Sequence, residues 1–598
     1  MTGLHSSTTE PPRASTPAAP AEVRESPNRN GRPAWTDALR PDPALLAPAA
    51  VVALAFVLRV WSVNHGLPYV YNVDEELHYV PPATRVLGGT FHPESFINPP
   101  ALTYFFSALF FVVYGGAGAA LDAWNAHPDE LYLAARLAVA CIGTVGVWLV
   151  YLTGSRLFGR VAGVVAAAAM AVAFLPVFYS HHALNDVPAM TAATLSLFGA
   201  ASILRHGRWF DYALAGAAAG LAAATKYPSG LILVSVLAAT AVRAYDSPRR
   251  RSVLPGLALA LGCTAVAFLL AHPFALLDFD SMRRDLEFLS RVNGGHFIGL
   301  PYENGYTYYP RVFTWGLGWV PALAALAGAV LLARREPRAA IVLVPTALVY
   351  FFFVAGYAPY GRYLLPTFPI ACLLAGYCAR ELVALARRRG ALFARLAAVG
   401  AVAAATAQGL LYSIHNDVVL SRTDTRELAR GWLTANVPAG ATIVLEPALP
   451  HGWVPTVAGG GDRWRNYPTS EAYREITGEA EITPRGKRRR GPLARSTYVL
   501  HLRPEFIDLY RRDGACWIVS ASLQSGRAFA EPERAPGAIA YYDRLEREAD
   551  VVFGASPFDS GAAPVAFSYD FSFDYYPLAY HRPGPQMTVY RLSGGRCS

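Results

Sequence analysis

Eleven long apolar runs, joined by short connections that collect arginine, leave this chain few ways to fold. They lie near Leu45–Val63, Leu137–Leu152, Val161–Tyr179, Val187–Leu204, Tyr212–Thr225, Gly230–Val242, Val253–Ala271, Val312–Ala333, Ala339–Tyr357, Leu364–Tyr377 and Ala391–Tyr412. A bilayer core takes about 20 helical residues, so most of these runs can cross one, while the fifth and sixth are short. With 53% hydrophobic and only 16% charged residues among 598, the composition excludes an ordinary soluble enzyme. The expected fold class is a polytopic α-helical membrane protein of about eleven spans. The net charge is +9, but the arginines form short runs between apolar stretches and no single basic face, so no nucleic-acid partner is expected.

Residues 1–43 are rich in Pro, Ala, Ser and charge and read as a disordered cytoplasmic tail. The first apolar run then acts as an uncleaved signal anchor. With the N-terminus inside, Arg156/Arg160, Arg205/Arg208, Arg249–Arg251, Arg334/Arg335/Arg338 and Arg387–Arg389/Arg395 all fall on the cytoplasmic side. That order holds only if Pro99–Tyr114 does not cross, so it is expected to enter or lie on the outer face and return. One loop, carrying Arg283, Arg284, Arg291 and Arg311, is an exception.

The outer face receives loops 64–130 and 272–311 and the tail 415–598, beyond a membrane domain at 44–414. In the tail, helix-like "RELARGWLTAN" alternates with strand-like "ATIVLE", "TYVLHL", "ACWIVSA" and "MTVYRL", which predicts an extracytoplasmic α/β domain. Its basic run Arg485–Arg490 reads as a solvated loop. Cys141, Cys263, Cys372 and Cys378 lie in apolar runs; Cys516 and Cys597 can pair if their domain is exported.

Several polar residues at outer span ends need an explanation. In "YNVDEELHY", Asp74, Glu75 and Glu76 adjoin His78. A lone aspartate there reads as a helix cap, but adjacent carboxylates near a low-dielectric surface are expected to raise one another's pKa, a cost that points to function. Asp186, in "HHALNDVPAM", fits a cap before an early proline as well as a second acid facing Asp74. Lys226 and Lys487 are the two lysines of an otherwise arginine-using chain. Lys226 is either a snorkelling side chain or a point charge for a phosphate. Arg362, Arg59 and Arg136 each read alone as interfacial anchors; together they can form an anion site at helix N-termini. The outer histidines, among them His78, His92 and His296, lack metal-ligand spacing, so no metal or other cofactor is expected to be required.

The motifs "VDEELHY", "NPPALTYF", "NDVPAM", "GLAAATKYPSG", "HPFALLDFD" and "RYLLPTFPI", in this order from Leu45 to Ile414, resemble the family 39 glycosyltransferases of the GT-C superfamily. These include protein O-mannosyltransferases and bacterial aminoarabinose transferases. The resemblance implies a polyprenyl-phosphate-sugar donor, a lipid, glycan or protein acceptor, and a site on the extracytoplasmic side of a bacterial plasma membrane. It also implies residue roles: Asp74 as catalytic base with Glu75 beside it, Asp186 as the second acid, and Lys226 and Arg362 on the carrier phosphate. Arg291 and His296 are looser matches. Asn98-Pro99-Pro100 departs from the Lys-Pro-Pro of aminoarabinose transferases, which argues against the same sugar and phosphate grip. A single base opposite the leaving group implies inversion. The rival class, a transporter or lipid flippase, places ionisable groups near the midplane, often in inverted repeats. Here they gather at span ends.

Overall fold

The computed structural model describes residues 43–594, apart from 247–252, 294–296, 301–303, 482–489, 562–564 and 568–577 and single positions 358, 451, 459, 468, 492 and 566. The predicted N-terminal tail therefore lies almost wholly outside the described residues. Each of the eleven apolar runs is helical over most of its length. Eight helices among the described residues are long and apolar enough to cross a membrane, or nine if a bent pair counts as one. The helices over the first, third and fifth runs, α1 (Pro43–Val60), α2 (Arg160–Val172) and α3 (Trp209–Thr225), are not among the eight.

Small residues let the backbones meet. A Cβ on Gly216 or Gly220 of α3 would run into the carbonyls of Ala260 and Thr264 on α4 (Leu254–Ala271), so only glycine permits this approach. The opposite face of α4 is left bare: of its residues only Gly256 and Ala260 are buried, and Leu270 is 78% exposed. A soluble protein would hide such a surface, whereas a bilayer solvates it.

The bundle sorts its charges between two ends. At one, Arg205 donates to Leu157 O (2.7 Å), Arg338 to Asp246 (2.9 Å) and Arg380 to Glu336 (2.6 Å), and Arg335 pairs with Glu381. At the other lie Asp74, Glu75, Asp186, Lys226 and Arg362. The stretch predicted not to cross forms a helix at Ala101–Tyr114 and a second at Ala117–Ala126, bent by 94°. Gly115 and Gly116 make the corner at φ +78° and +141°, which glycine adopts without strain. The first arm, about 21 Å long at 1.5 Å per residue, is shorter than a ~30 Å hydrocarbon core.

The last membrane helix, α5 (Ala391–Leu420), runs beyond the boundary expected near residue 414; Ser413, Asn416 and Asp417 are buried along this extension. The domain that follows holds a five-stranded sheet, β1 (Thr442–Leu445), β2 (Arg465–Tyr467), β3 (Trp517–Ala521), β4 (Ala549–Ala555) and β5 (Met587–Leu592), in the order β2-β1-β3-β5-β4. β1 lies parallel to β2 and β3, and β5 is antiparallel to β3 and β4. Three expected strands and the helix Thr425–Asn436 appear, but "TYVLHL" forms the helical turn Tyr498–His501. Tyr498 and Val499 are buried there, so packing decides what a short apolar run leaves ambiguous. Cys516 is disulfide-bonded, whereas Cys597 lies outside the described residues, as do Arg485 to Arg489 of the basic run.

Candidate active site

The three carboxylates of the first loop sit on one short helix, Val73–His78, whose start is fixed by Asn72. The Asn72 side chain accepts from the amides of Asp74 (3.0 Å) and Glu75 (3.3 Å). Neighbours on a helix point about 100° apart, so Asp74 and Glu75 leave in different directions. Asp74 faces a cavity, where Arg362 Nη1 donates to its Oδ2 at 2.5 Å and His78 Nε2 lies 4.0 Å from its Oδ1. Glu75 turns into the bundle and is fully buried. It takes both prongs of Arg136 (Nε 2.8 Å, Nη2 2.9 Å), the Ala183 amide (2.6 Å) and a contact with His182 Nδ1 (3.4 Å).

This dispersal overturns the expected mutual raising of pKa values. Burial pushes Asp74 up, but Arg362 and then His78 outweigh it and hold the carboxyl below the ordinary range. Burial also pushes Glu75 up, and Arg136 and His182 bring it down to about 2. Asp74 and Glu75 each have their own cation, so crowding in sequence is not crowding in space.

Asp186 begins the helix Asp186–Arg205 and is 2% exposed. It pairs with Lys226, which ends α3 and whose ammonium stands 4.9 Å from the Tyr363 ring centroid. Arg362 Cζ lies 5.9 Å from the same ring, so one tyrosine spaces the two cations. Arg362 Nε is buried with no hydrogen-bond partner among the described residues.

These groups line a cavity of about 580 Å³ in which Asp74, His78, Asn98, Asp186, Lys226 and Arg362 are joined by Leu231, Leu286, Leu289, Phe353, Val354 and Tyr357. Part of the apolar lining is the amphipathic helix Phe279–Asn293. Asp285 secures it to the first loop by accepting from the Phe96 amide (2.8 Å), and His92 pairs with Asp278 (2.9 Å). The two carboxylates and two cations balance in charge within this lining.

Of the predicted site residues, the fold brings together Asp74, Asp186, Lys226 and Arg362. Glu75 does not line the cavity. Arg291 is exposed, donates to Glu287 O (3.3 Å) and is absent from the lining, because its helix offers Leu286, Leu289 and Ser290 to the cavity. His296 lies outside the described residues. Arg59 and Arg136 do not join an anion site: Arg59 closes the break after α2 by donating to Ala171 O (2.9 Å) and Met170 O (3.2 Å). Asn98 accepts from Tyr79 Oη (3.1 Å) on the cavity wall, where a lysine would have added a third cation. Tyr363 was not singled out from sequence, although its place beside Arg362 in "GRYLLP" was the available signal. Among the described residues, no three His, Cys, Asp or Glu side chains are arranged to hold a metal.

Residues 129–275, about a quarter of the chain, match the model of the dolichyl-phosphate-mannose-protein mannosyltransferase family. That stretch holds Arg136, Asp186 and Lys226, while Asp74 and Arg362 fall outside it. The apo structure of ArnT from Cupriavidus metallidurans is similar over 79% of this chain and 92% of its own, with 16% identity and a TM-score of 0.50. The apo oligosaccharyltransferase from Archaeoglobus fulgidus is similar over 86% of this chain and 73% of its own, with 13% identity and a TM-score of 0.51. No curated protein matches the sequence. The chain thus matches that family over residues 129–275 and shares the fold of these two structures.

Proposed function

We propose that this cavity transfers a sugar from a polyprenyl-phosphate donor to the hydroxyl of a lipid, glycan or protein acceptor. The reading rests on one observation above all: two acid–base ion pairs share a cavity with a set of apolar side chains. The apolar lining suits the first units of a lipid carrier, and the cations suit its phosphate. The family description, which names a dolichyl-phosphate sugar, supports that donor class. Arriving phosphate competes with Asp74 for the Arg362 guanidinium. Asp74 is thereby released to take the acceptor proton while the acceptor oxygen bonds to the anomeric carbon. The bond from that carbon to the phosphate oxygen breaks with inversion, and Lys226 and Arg362 hold the charge of the departing carrier phosphate. Asp186 keeps Lys226 in place. The step as written needs no cofactor.

Binding of a polyprenyl phosphate without its sugar isolates the phosphate contact. Lys226→Ala and Arg362→Ala should each weaken it about tenfold or more, the scale of a hydrogen bond to a charged group. Wild-type affinity in both variants removes these residues from the phosphate site.

The site is proposed to face the extracytoplasmic side of a bacterial plasma membrane. The arginine-rich end opposite it supports that orientation, and the disulfide of Cys516 suits an oxidising compartment. In a background without Cys141 and Cys263, Arg160→Cys and His206→Cys, both at exposed positions, should react with a membrane-impermeant maleimide only after permeabilisation. Labelling of either in intact cells inverts the map.

A further inference from the structure

Just before the helix that carries Asp74, the chain leaves the membrane bundle and enters the core of the C-terminal domain. Tyr71, 8% exposed, belongs to the same apolar cluster as Ala429, Leu433, Ile443 and Val589, with Tyr69 packed against it. Two arginines of the helix Thr425–Asn436 cover the rings: Arg426 Cζ stands 3.8 Å from the Tyr71 centroid and Arg430 Cζ 4.9 Å from that of Tyr69. Both guanidiniums are themselves oriented, Arg426 by a fork onto Asp424 (2.9 and 2.7 Å) and Arg430 by Trp453 O (2.7 Å). Tyr71 Oη is buried without a hydrogen-bond partner among the described residues, so its ring and not its hydroxyl is what is gripped. The next residue is Asn72, whose side chain fixes the amides of Asp74 and Glu75.

We propose that Tyr71 and Tyr69, held by Arg426 and Arg430, are positioning residues through which the C-terminal domain sets the place of Asp74. The inference rests on the reading of Asp74 as the base. The domain then does more than cap the bundle: it supplies an anchor at the start of the catalytic helix, beside the ion pairs of Glu75 with Arg136 and Asp74 with Arg362. Without an aromatic ring under Arg426, Asn72 and the start of the helix are free to shift. A shift of about 1 Å at a reacting group can cost on the order of 10² in rate.

The test uses the full-length protein in detergent and two substitutions. Tyr71→Leu keeps apolar bulk but removes the ring, whereas Tyr71→Phe keeps the ring and removes only an unpartnered hydroxyl. Tyr71→Leu should lower kcat by about 10²-fold while the protein stays folded at the assay temperature and binds a sugar-free polyprenyl phosphate as wild type does; Tyr71→Phe should match wild type in all three. Hydrogen exchange gives a readout that needs no turnover: the amides of Asp74 and Glu75 should exchange faster in Tyr71→Leu and unchanged in Tyr71→Phe, with the helix Asp186–Arg205 unaffected in both. Unchanged exchange and kcat in Tyr71→Leu overturn the proposal, as does a fall in kcat matched by loss of folded protein. If Tyr71→Leu does not fold, Tyr69→Leu at the partly buried neighbour carries the same test, with faster exchange at Asp74 expected and unchanged exchange overturning it. Wild-type protein inactive on every polyprenyl-phosphate sugar instead counts against the functional reading, and the exchange result still decides the positioning role.

Discussion

Asp74→Asn should lower turnover by about 10²- to 10⁴-fold, the usual range for a lost general base. Asparagine keeps the size of the side chain and the cap geometry at Asn72 but cannot take a proton. Binding of sugar-free carrier should stay at wild type or tighten, because Arg362 loses its resident carboxylate. The sign of the pH dependence follows from the same pair. The base works ionised, so turnover falls as pH drops through the Asp74 pKa, and Arg362 keeps that pKa low. Arg362→Gln should therefore move the acid limb of the rate profile to higher pH, besides weakening donor binding. Near-normal turnover of Asp74→Asn would reduce Asp74 to a partner of Arg362 and leave Asp186 as the carboxylate of the cavity.

The largest loss of stability is expected one residue further on. Glu75 and Arg136 are 0% and 1% exposed at their side chains, and removing one partner of a buried pair costs about 3–5 kcal/mol. Arg136→Met leaves an unpaired carboxylate and uncovers the carbonyls of Val63 and His65, which Arg136 Nη1 satisfies at 3.2 and 2.8 Å. Glu75→Leu combined with Arg136→Met should recover much of the loss, because two apolar groups leave no orphan charge. Melting in detergent across the double-mutant cycle measures this, and additive losses would refute coupling between the two. Glu75 falls from its ordinary 4.5 to about 2 in the folded protein. Its contribution, about 3 kcal/mol by linkage, is fully present above pH ~4.5 and is lost as pH falls toward 2.

The membrane helices were legible because most of the apolar runs are long, a signal that survives without tertiary information, although those over the first, third and fifth runs are not among the eight helices that can cross. The chemistry-bearing residues were legible as individuals: Lys226 stood out as a lysine among arginines, and Asp74 as part of an acidic run. What could not be read was which residue answers which. Asp186 and Lys226 are 40 positions apart, and Asp74 and Arg362 are 288. No local pattern specifies such pairings, and so the cations looked free for phosphate when each already holds a carboxylate. The difference between Asp74 and Glu75 turns on where the helix begins, since a shift of one residue at Asn72 would turn one of them into the direction the other now takes. Arg291 was misplaced for a related reason, since the register of its helix decides that leucine and serine, not arginine, look into the cavity.

Tyr71 in the C-terminal core also carries a consequence for biogenesis. The catalytic loop leaves the ribosome early, whereas Arg426 follows roughly 350 residues later, some 20–70 s at ordinary rates of synthesis. The sheet beneath Tyr71 closes later still, because its interior strand β5 is Met587–Leu592. A nascent chain can thus insert its helices and gather both carboxylates while the segment around Asp74 lacks its outer hold. Under the proposed positioning role, maturation to full turnover waits for the synthesis of β5, and chains stalled or clipped before that strand remain membrane-inserted but catalytically slack.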